Sequence, residues 1–97
     1  MKIVSAVGNK VVLEHMNMRG RAISLEVNVD NDGKNFIKSN INNIRYDVTN
    51  DVLKVGSTTL VRAYAMNKHG NLPSNRKIMF KDGNKYNLRN GNLYILN

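Results

Sequence analysis

Short apolar runs, each ended by turn residues, constrain the fold of this chain more than any other feature. The clearest run is at residues 22–29, where Ile23, Leu25, Val27 and Val29 alternate with more polar residues. A repeat of two residues is typical of a strand that buries one face. The sequence therefore predicts a β-rich fold.

Further runs of this kind flank other turn signals such as Gly8-Asn9 and Thr49-Asn50. The strand at residues 22–29 is expected to form a hairpin, with Asp30–Gly33 as the turn and Lys34–Lys38 as the return strand. Three hairpins are predicted in the first half of the chain, with strands at residues 2–7 and 10–14, 22–29 and 34–38, and 44–48 and 51–55.

One main helix is predicted at about residues 58–68, because Leu60 and Tyr64 lie four residues apart on one side of it. Ser57 or Thr58 is its expected N-cap. At its far end, Lys68 and His69 suit the negative end of the helix dipole, and Gly70 suits its termination.

A C-terminal hairpin follows, with predicted strands at Lys77–Lys81 and Asn92–Leu96. The expected fold is therefore α+β, a small β-rich domain of several hairpins with one main helix and this last hairpin. A chain of 97 residues suits one domain over residues 1–97, with a β-rich part at 1–56 and the helix and hairpin at 57–97.

Charge is the strongest global clue to function. Fifteen Lys and Arg residues face seven acidic residues, which gives a formal net charge of +8. Such an excess attracts polyanions and speeds their encounter with the protein. DNA is therefore the expected partner, and an acidic protein surface or a membrane surface is the alternative.

Composition also excludes several classes of site. The chain has no cysteine, so it forms neither disulfides nor thiolate metal sites. With only His15 and His69, a zinc cage is not expected, and no other cofactor is indicated. The sequence has no apolar run long enough for a membrane span and no signal peptide, so a cytoplasmic location is expected.

An ordered set of motifs fills residues 59–96: TLVRAYA, a loop with Pro73, then Asp82-Gly83-Asn84-Lys85, Asn87 with Arg89, and Asn92-Leu93. Together they resemble the HNH endonucleases of phage and intron homing type. In that family a helix precedes a loop, and the strand after the loop ends in His-His or Asp-His. The resemblance implies a phage-encoded protein acting on DNA, in the cytoplasm of the host cell.

The resemblance also implies that the catalytic site has been lost. In the family, the positions matching Met79 and Phe80 supply a metal ligand and the His that activates water. A thioether is a poor ligand for a hard cation, and a phenyl ring accepts no proton. The second metal ligand comes from a helix after the last strand, whereas this sequence ends at Asn97. We therefore expect no cleavage.

The remaining motif residues are expected to serve the fold. Met79 and Phe80 would fill the former metal site as core. Tyr86 would either stack on a base or pack on the helix. Asp and Asn side chains suit hydrogen bonding to nearby backbone, so the C-terminal loop is expected to be folded by four of them: Asp82, Asn84, Asn87 and Asn92.

The sequence thus predicts a non-catalytic, basic DNA-binding protein or regulator on an HNH-like scaffold. The alternative is a module that binds a host protein such as RNA polymerase or a nucleoid protein. A nuclease using Asp82 with His69, or a β-rich virion component, is left open. The expected nucleic-acid contacts surround the hairpin and the helix: Arg62, Lys68, Arg76, Lys77, Lys81, Lys85 and Arg89.

Overall fold

The computed structural model describes residues 1–96 and has an α+β fold. Eight short strands form three small antiparallel sheets, of order β1-β2-β3, β4-β5-β6 and β7-β8, and two helices complete the fold. The elements are β1 Lys2–Val7, β2 Lys10–Met16, β3 Ala22–Asn28, α1 Asn31–Ser39, β4 Ile44–Asp47, β5 Val52–Val55, β6 Thr58–Thr59, α2 Leu60–His69, β7 Lys77–Phe80 and β8 Leu93–Leu96.

The first sheet confirms the alternating pattern. Leu13 of β2 pairs with Leu25 of β3, and Val11 pairs with Val27. All four side chains are buried, whereas Glu26 on the opposite face is exposed. The period of two residues therefore correctly identified the face that meets the core.

The predicted return strand at Lys34–Lys38 is wrong, because these residues belong to helix α1. Gly33, Phe36 and Ile37 are spaced three and four residues apart, and they share the helix face that turns inward. Gly33 does not make a turn: a Cβ there would lie 3.1 Å from the Cβ of Val29. The glycine is needed for close packing of the helix against the core.

The hairpin of β4 and β5 and the helix α2 agree with the prediction, with small shifts at their ends. Thr59, one residue later than expected, is the N-cap, and its hydroxyl accepts the Arg62 N–H at 3.3 Å. Gly70 follows the helix with a φ of 86°. Leu60 and Tyr64 are buried, as their spacing predicted.

One hydrophobic cluster joins the N-terminal sheet to the second half of the chain. It contains residues from β2, β3, α1, β4, β5 and α2, one residue between β3 and α1, and one residue of the C-terminal loop. The members are Val11, Leu13, Leu25, Val27, Val29, Ile37, Ile44, Leu53, Leu60, Tyr64 and Leu88.

Candidate nucleic-acid interface

Asn92 organises the loop between β7 and β8. Its side-chain oxygen accepts the Asp82 N–H at 3.0 Å, and its side-chain nitrogen donates to the Asn87 carbonyl at 2.9 Å. Its own carbonyl accepts the Lys81 N–H at 2.8 Å. It is the one buried polar residue in residues 1–96, so these bonds also satisfy its polar atoms.

Asp82 supplies a second set of bonds within the same loop. Its carboxylate accepts the Asn87 side-chain amide at 2.8 Å and the Asn84 N–H at 2.8 Å. These two bonds, the first being the stronger cause, hold the pKa of Asp82 below its ordinary value. The side-chain oxygen of Asn84 accepts the Tyr86 N–H at 3.0 Å. The four predicted residues therefore do fold this loop.

The loop is anchored to the N-terminal sheet through the end of β3. The Asn28 N–H donates to the Tyr86 carbonyl at 2.9 Å, and the Leu88 N–H donates to the Asn28 carbonyl at 2.8 Å. These two bonds form one parallel bridge, and they place the Leu88 side chain in the core. The C-terminal loop is thus seated on the core of the first half.

A second anchor lies beside the helices. The Asn90 N–H donates to the Asp30 carboxylate at 2.7 Å, and the Asn90 side-chain oxygen accepts the Tyr64 hydroxyl at 3.0 Å. Asp30 precedes α1, and Tyr64 is in α2. One asparagine therefore fixes the loop to the start of one helix and the middle of the other.

Asp51 makes the third anchor, at the turn between β4 and β5. One carboxylate oxygen accepts the hydroxyls of Tyr46 and Tyr86, each at 2.6 Å, and the other lies 3.2 Å from the Lys85 ammonium. Hydrogen bonds from Tyr46, Tyr86 and Lys85 lower the pKa of Asp51 to about 2. Burial raises the pKa of Tyr86, and its bond to Asp51 raises it further. The half-buried Tyr86 thus ties the C-terminal loop to the turn between β4 and β5.

Positive charge is concentrated in the second half of the chain. Residues 57–97 hold seven Lys and Arg residues and one acid, Asp82, whereas residues 1–56 hold eight cations and six acids. The formal net charge is therefore +6 in the second part and +2 in the first. Any polyanion that the protein meets is drawn toward the helix α2 and the C-terminal hairpin.

Three of the seven predicted contact residues bind groups in other segments of the fold. Lys68 lies 3.2 Å from the Asp32 carboxylate, and Lys85 pairs with Asp51. The bond to Asp32 is the main cause that raises the pKa of Lys68. Arg62 is half-buried, and its guanidinium donates to the carbonyls of Pro73 and Arg76. These three cations stabilise contacts between segments.

Four predicted residues are exposed along the hairpin and the loop before it: Arg76, Lys77, Lys81 and Arg89. Of these, Arg76 also makes an interaction within the fold. Lys77, Lys81 and Arg89 form no ion pair with any of residues 1–96. Lys77 starts β7, Lys81 directly follows it, and Arg89 lies near the end of the loop. These three cations are thus distributed along the C-terminal hairpin and its loop.

A cleft of about 330 Å³ lies between β5, the start of α2, β7 and the C-terminal loop. Met79 and Phe80, which were expected to become core, are half-buried in its wall. Neither belongs to the buried cluster, so that expectation is wrong. The wall of the cleft is therefore partly open to solvent.

Sequence reasoning missed the residues that dock the loop. Asp30 and Leu88 lie in segments interpreted as turn and loop, and Asp51 was assigned to the start of a strand, whereas β5 begins at Val52. Asp51 is the one non-glycine residue with a positive φ in the described chain, 51°. Such a φ is favoured by turn residues such as Asp and Asn, so Thr49-Asn50-Asp51 carried a weak local signal.

No protein-family model, no curated protein and no solved structure matches this chain. Within residues 1–96, neither helix has the length and apolar character that crossing a membrane requires. The same residues bring no three His, Asp or Glu side chains together in a way that could hold a metal ion.

Proposed function

We propose that this protein is a non-catalytic DNA-binding regulator of phage origin, built on an HNH-like scaffold. The observation that carries the proposal is the set of open cations on the C-terminal hairpin, Lys77, Lys81 and Arg89, in the half of the chain with a net charge of +6. Cations of this kind bind phosphates and release counterions, so binding depends strongly on salt and weakly on sequence.

The absence of cleavage is supported by the chemistry of the motif residues. By resemblance to the HNH family, Phe80 occupies the place of the His that activates water, and a phenyl ring cannot accept a proton. Asp82, Asn87 and Asn92 direct their polar atoms to one another and to the backbone. On this proposal those residues maintain the loop that presents the cations.

The test of binding is a gel shift with duplex DNA across a salt series. We expect binding near about 50 mM salt that weakens as salt rises. Replacing Lys77, Lys81 and Arg89 together by Gln should reduce the slope of log K against log salt by about 3, about one unit for each lost phosphate contact.

The matched control removes three cations elsewhere, by replacing Lys2, Lys34 and Lys38 with Gln. This control has the same net charge but keeps the hairpin intact. Equal losses in the two triple variants would place the binding surface elsewhere, and no shift at about 50 mM salt would end the proposal.

The test of catalysis is a nicking assay on duplex DNA with Mg²⁺ or Mn²⁺. We expect intact DNA at all times. Cleavage at specific sites that disappears on mutation of Asn87 or Asn92 would show that the scaffold still carries a nuclease.

A second function, binding to a host protein such as RNA polymerase or a nucleoid protein, is favoured by the apolar cleft. Val52, Val61, Ile78 and Phe80 line it, and Lys85 borders it. An acidic partner segment with apolar side chains would fit that chemistry. A stoichiometric complex with the purified host protein, formed after nuclease treatment and lost on Phe80→Asp, would favour this function over DNA binding.

A further inference from the structure

The outer face of the C-terminal hairpin carries an exposed tyrosine. Along β8, Leu93 and Ile95 are half-buried, whereas Tyr94 is 41% and Leu96 is 44% exposed. Leu93 packs against the core cluster. Because side chains alternate along a strand, Tyr94 and Leu96 share the face that turns away from the core.

The register of the hairpin identifies their neighbours on that face. Met79 is paired with Tyr94, and Lys77 is paired with Leu96. Residues directly opposite one another on two strands point to the same side of the sheet. The Lys81 N–H bonds to the Asn92 carbonyl, so the ladder continues one step past β7. Lys77 at the start of β7 and Lys81 directly after its end are both exposed, and they flank the Tyr94 position about 13 Å apart along the hairpin.

Tyr94 differs from the other three tyrosines of the chain. The hydroxyls of Tyr46 and Tyr86 bond to Asp51, and that of Tyr64 bonds to Asn90. These three rings are buried or half-buried. The Tyr94 hydroxyl has no hydrogen-bond partner among residues 1–96, and its ring is partly exposed at the edge of a cavity beside Lys68 and His69 of α2. Among the tyrosines of residues 1–96, Tyr94 thus combines the most exposed ring with an unbonded hydroxyl.

We propose that this outer face binds single-stranded nucleic acid, with Tyr94 stacking on an unpaired base and Lys77 and Lys81 contacting the flanking phosphates. An exposed ring between cations is the arrangement on which successive bases stack, and stacking is open to any base. In a duplex the base faces are covered by their neighbours, so the ring would gain nothing there. This inference rests on the proposed DNA binding and specifies single-stranded nucleic acid as the ligand.

Charge argues against a second copy of this chain on the same face. A twofold contact places the same patch on both partners. Lys77 and Lys81 of one copy would then face Lys77 and Lys81 of the other, with no acid on the outer face to compensate. A polyanion removes this repulsion, because its phosphates lie between the cations.

The experiment measures fluorescence anisotropy with a labelled oligothymidylate of about 12 nucleotides, beside a duplex of the same length. We expect the wild type to bind the single strand more tightly. Tyr94→Ala should weaken single-strand binding about tenfold, whereas Tyr94→Phe, which keeps the ring, should retain it. Val7→Ala, which removes an exposed apolar residue of β1, is the control and should bind as the wild type does.

Circular dichroism of each variant checks that the fold is intact. Tighter binding of the duplex, or wild-type affinity in Tyr94→Ala, would overturn the single-strand inference while leaving the proposed DNA binding in place. Failure of the wild type to bind either oligonucleotide would instead remove the proposed function itself. Loss of binding in Tyr94→Phe as large as in Tyr94→Ala would contradict stacking.

Discussion

The dipeptide Asp-Gly occurs at Asp32-Gly33 and at Asp82-Gly83, and the two regions use it for different reasons. In α1, Gly33 has a helical backbone, and the missing Cβ lets Val29 approach. After β7, Gly83 has a φ of 75°, and a Cβ there would meet nothing within 4 Å. One glycine is required by packing and the other by backbone conformation.

The aspartates of the two dipeptides also differ, in where their carboxylates find partners. The Asp32 carboxylate is directed toward another element, where it pairs with Lys68 of α2. The Asp82 carboxylate is directed back into its own loop, where it accepts from Asn84 and Asn87. The Asp-Gly motif therefore predicted a loop correctly at Asp82, where the aspartate bonds within the loop, and wrongly at Asp32, where it bonds to another element. Four predictions test this difference.

The largest effect is expected at Gly33. Gly33→Val would force side-chain carbons into the space held by Val29 and Tyr64, at a cost of about 3 kcal/mol. The free energy of unfolding from urea denaturation measures this. Gly91→Ala, at a glycine with open space and no positive φ, is the control and should change stability little. An unchanged midpoint for Gly33→Val would show that the helix does not pack as closely as described.

The next effect concerns the bonds inside the second loop. Asn92→Ala removes the acceptor for the Asp82 N–H and the donor to the Asn87 carbonyl at a buried position. We expect a loss of about 2 kcal/mol in the free energy of unfolding. Asn84→Ala, at an exposed site in the same loop, should cost less, and the reverse order would contradict the assigned role of Asn92.

A smaller effect is expected at Gly83. Gly83→Ala places a Cβ on a left-handed backbone and should destabilise the protein by about 1 kcal/mol. Gly83→Asn should be milder, because Asn tolerates this conformation better. The difference between these two variants in thermal unfolding separates backbone strain from packing, and equal losses would point to crowding instead.

The smallest effect is a pH dependence. Because the pKa of Asp82 is lowered in the folded state, its contribution is present above its unfolded pKa of about 3.9 and is lost as the pH falls through the folded value. Asp82→Asn removes that contribution. The gap between wild type and variant in free energy of unfolding should therefore narrow below about pH 4. A gap that stays constant down to acidic pH would contradict the role of the carboxylate.

Much of the secondary structure could be predicted because its signals are local. The alternation at residues 22–29, the Leu60 and Tyr64 spacing and the hairpin of β4 and β5 each lie within one element. The polar residues of the C-terminal loop were also recognised, since Asp and Asn bond to backbone two residues away. The strand predicted at Lys34–Lys38 failed because a glycine needed for packing has the same local appearance as one needed for a turn.

The candidate site was predictable in composition and not in geometry. Seven cations around the helix and hairpin were predicted as contacts, but Arg62, Lys68 and Lys85 bind other groups of the fold. The partners of Lys68 and Tyr86 are 36 and 35 residues away in the sequence. No local pattern encodes a contact of that separation.

The amino-acid sequence by itself determined the strong positive charge, the alternating strands, the helix α2 and the residues that close the C-terminal loop. These follow from side-chain chemistry and from periodicity over a few residues. Only the tertiary structure decided that residues 31–39 form a helix that packs through Gly33, and that Leu88 is buried in the core. It also decided that Lys77 and Lys81 are exposed on the same hairpin as Tyr94. Those outcomes depend on which segments meet, because docking determines which cations find an acid and which rings are covered.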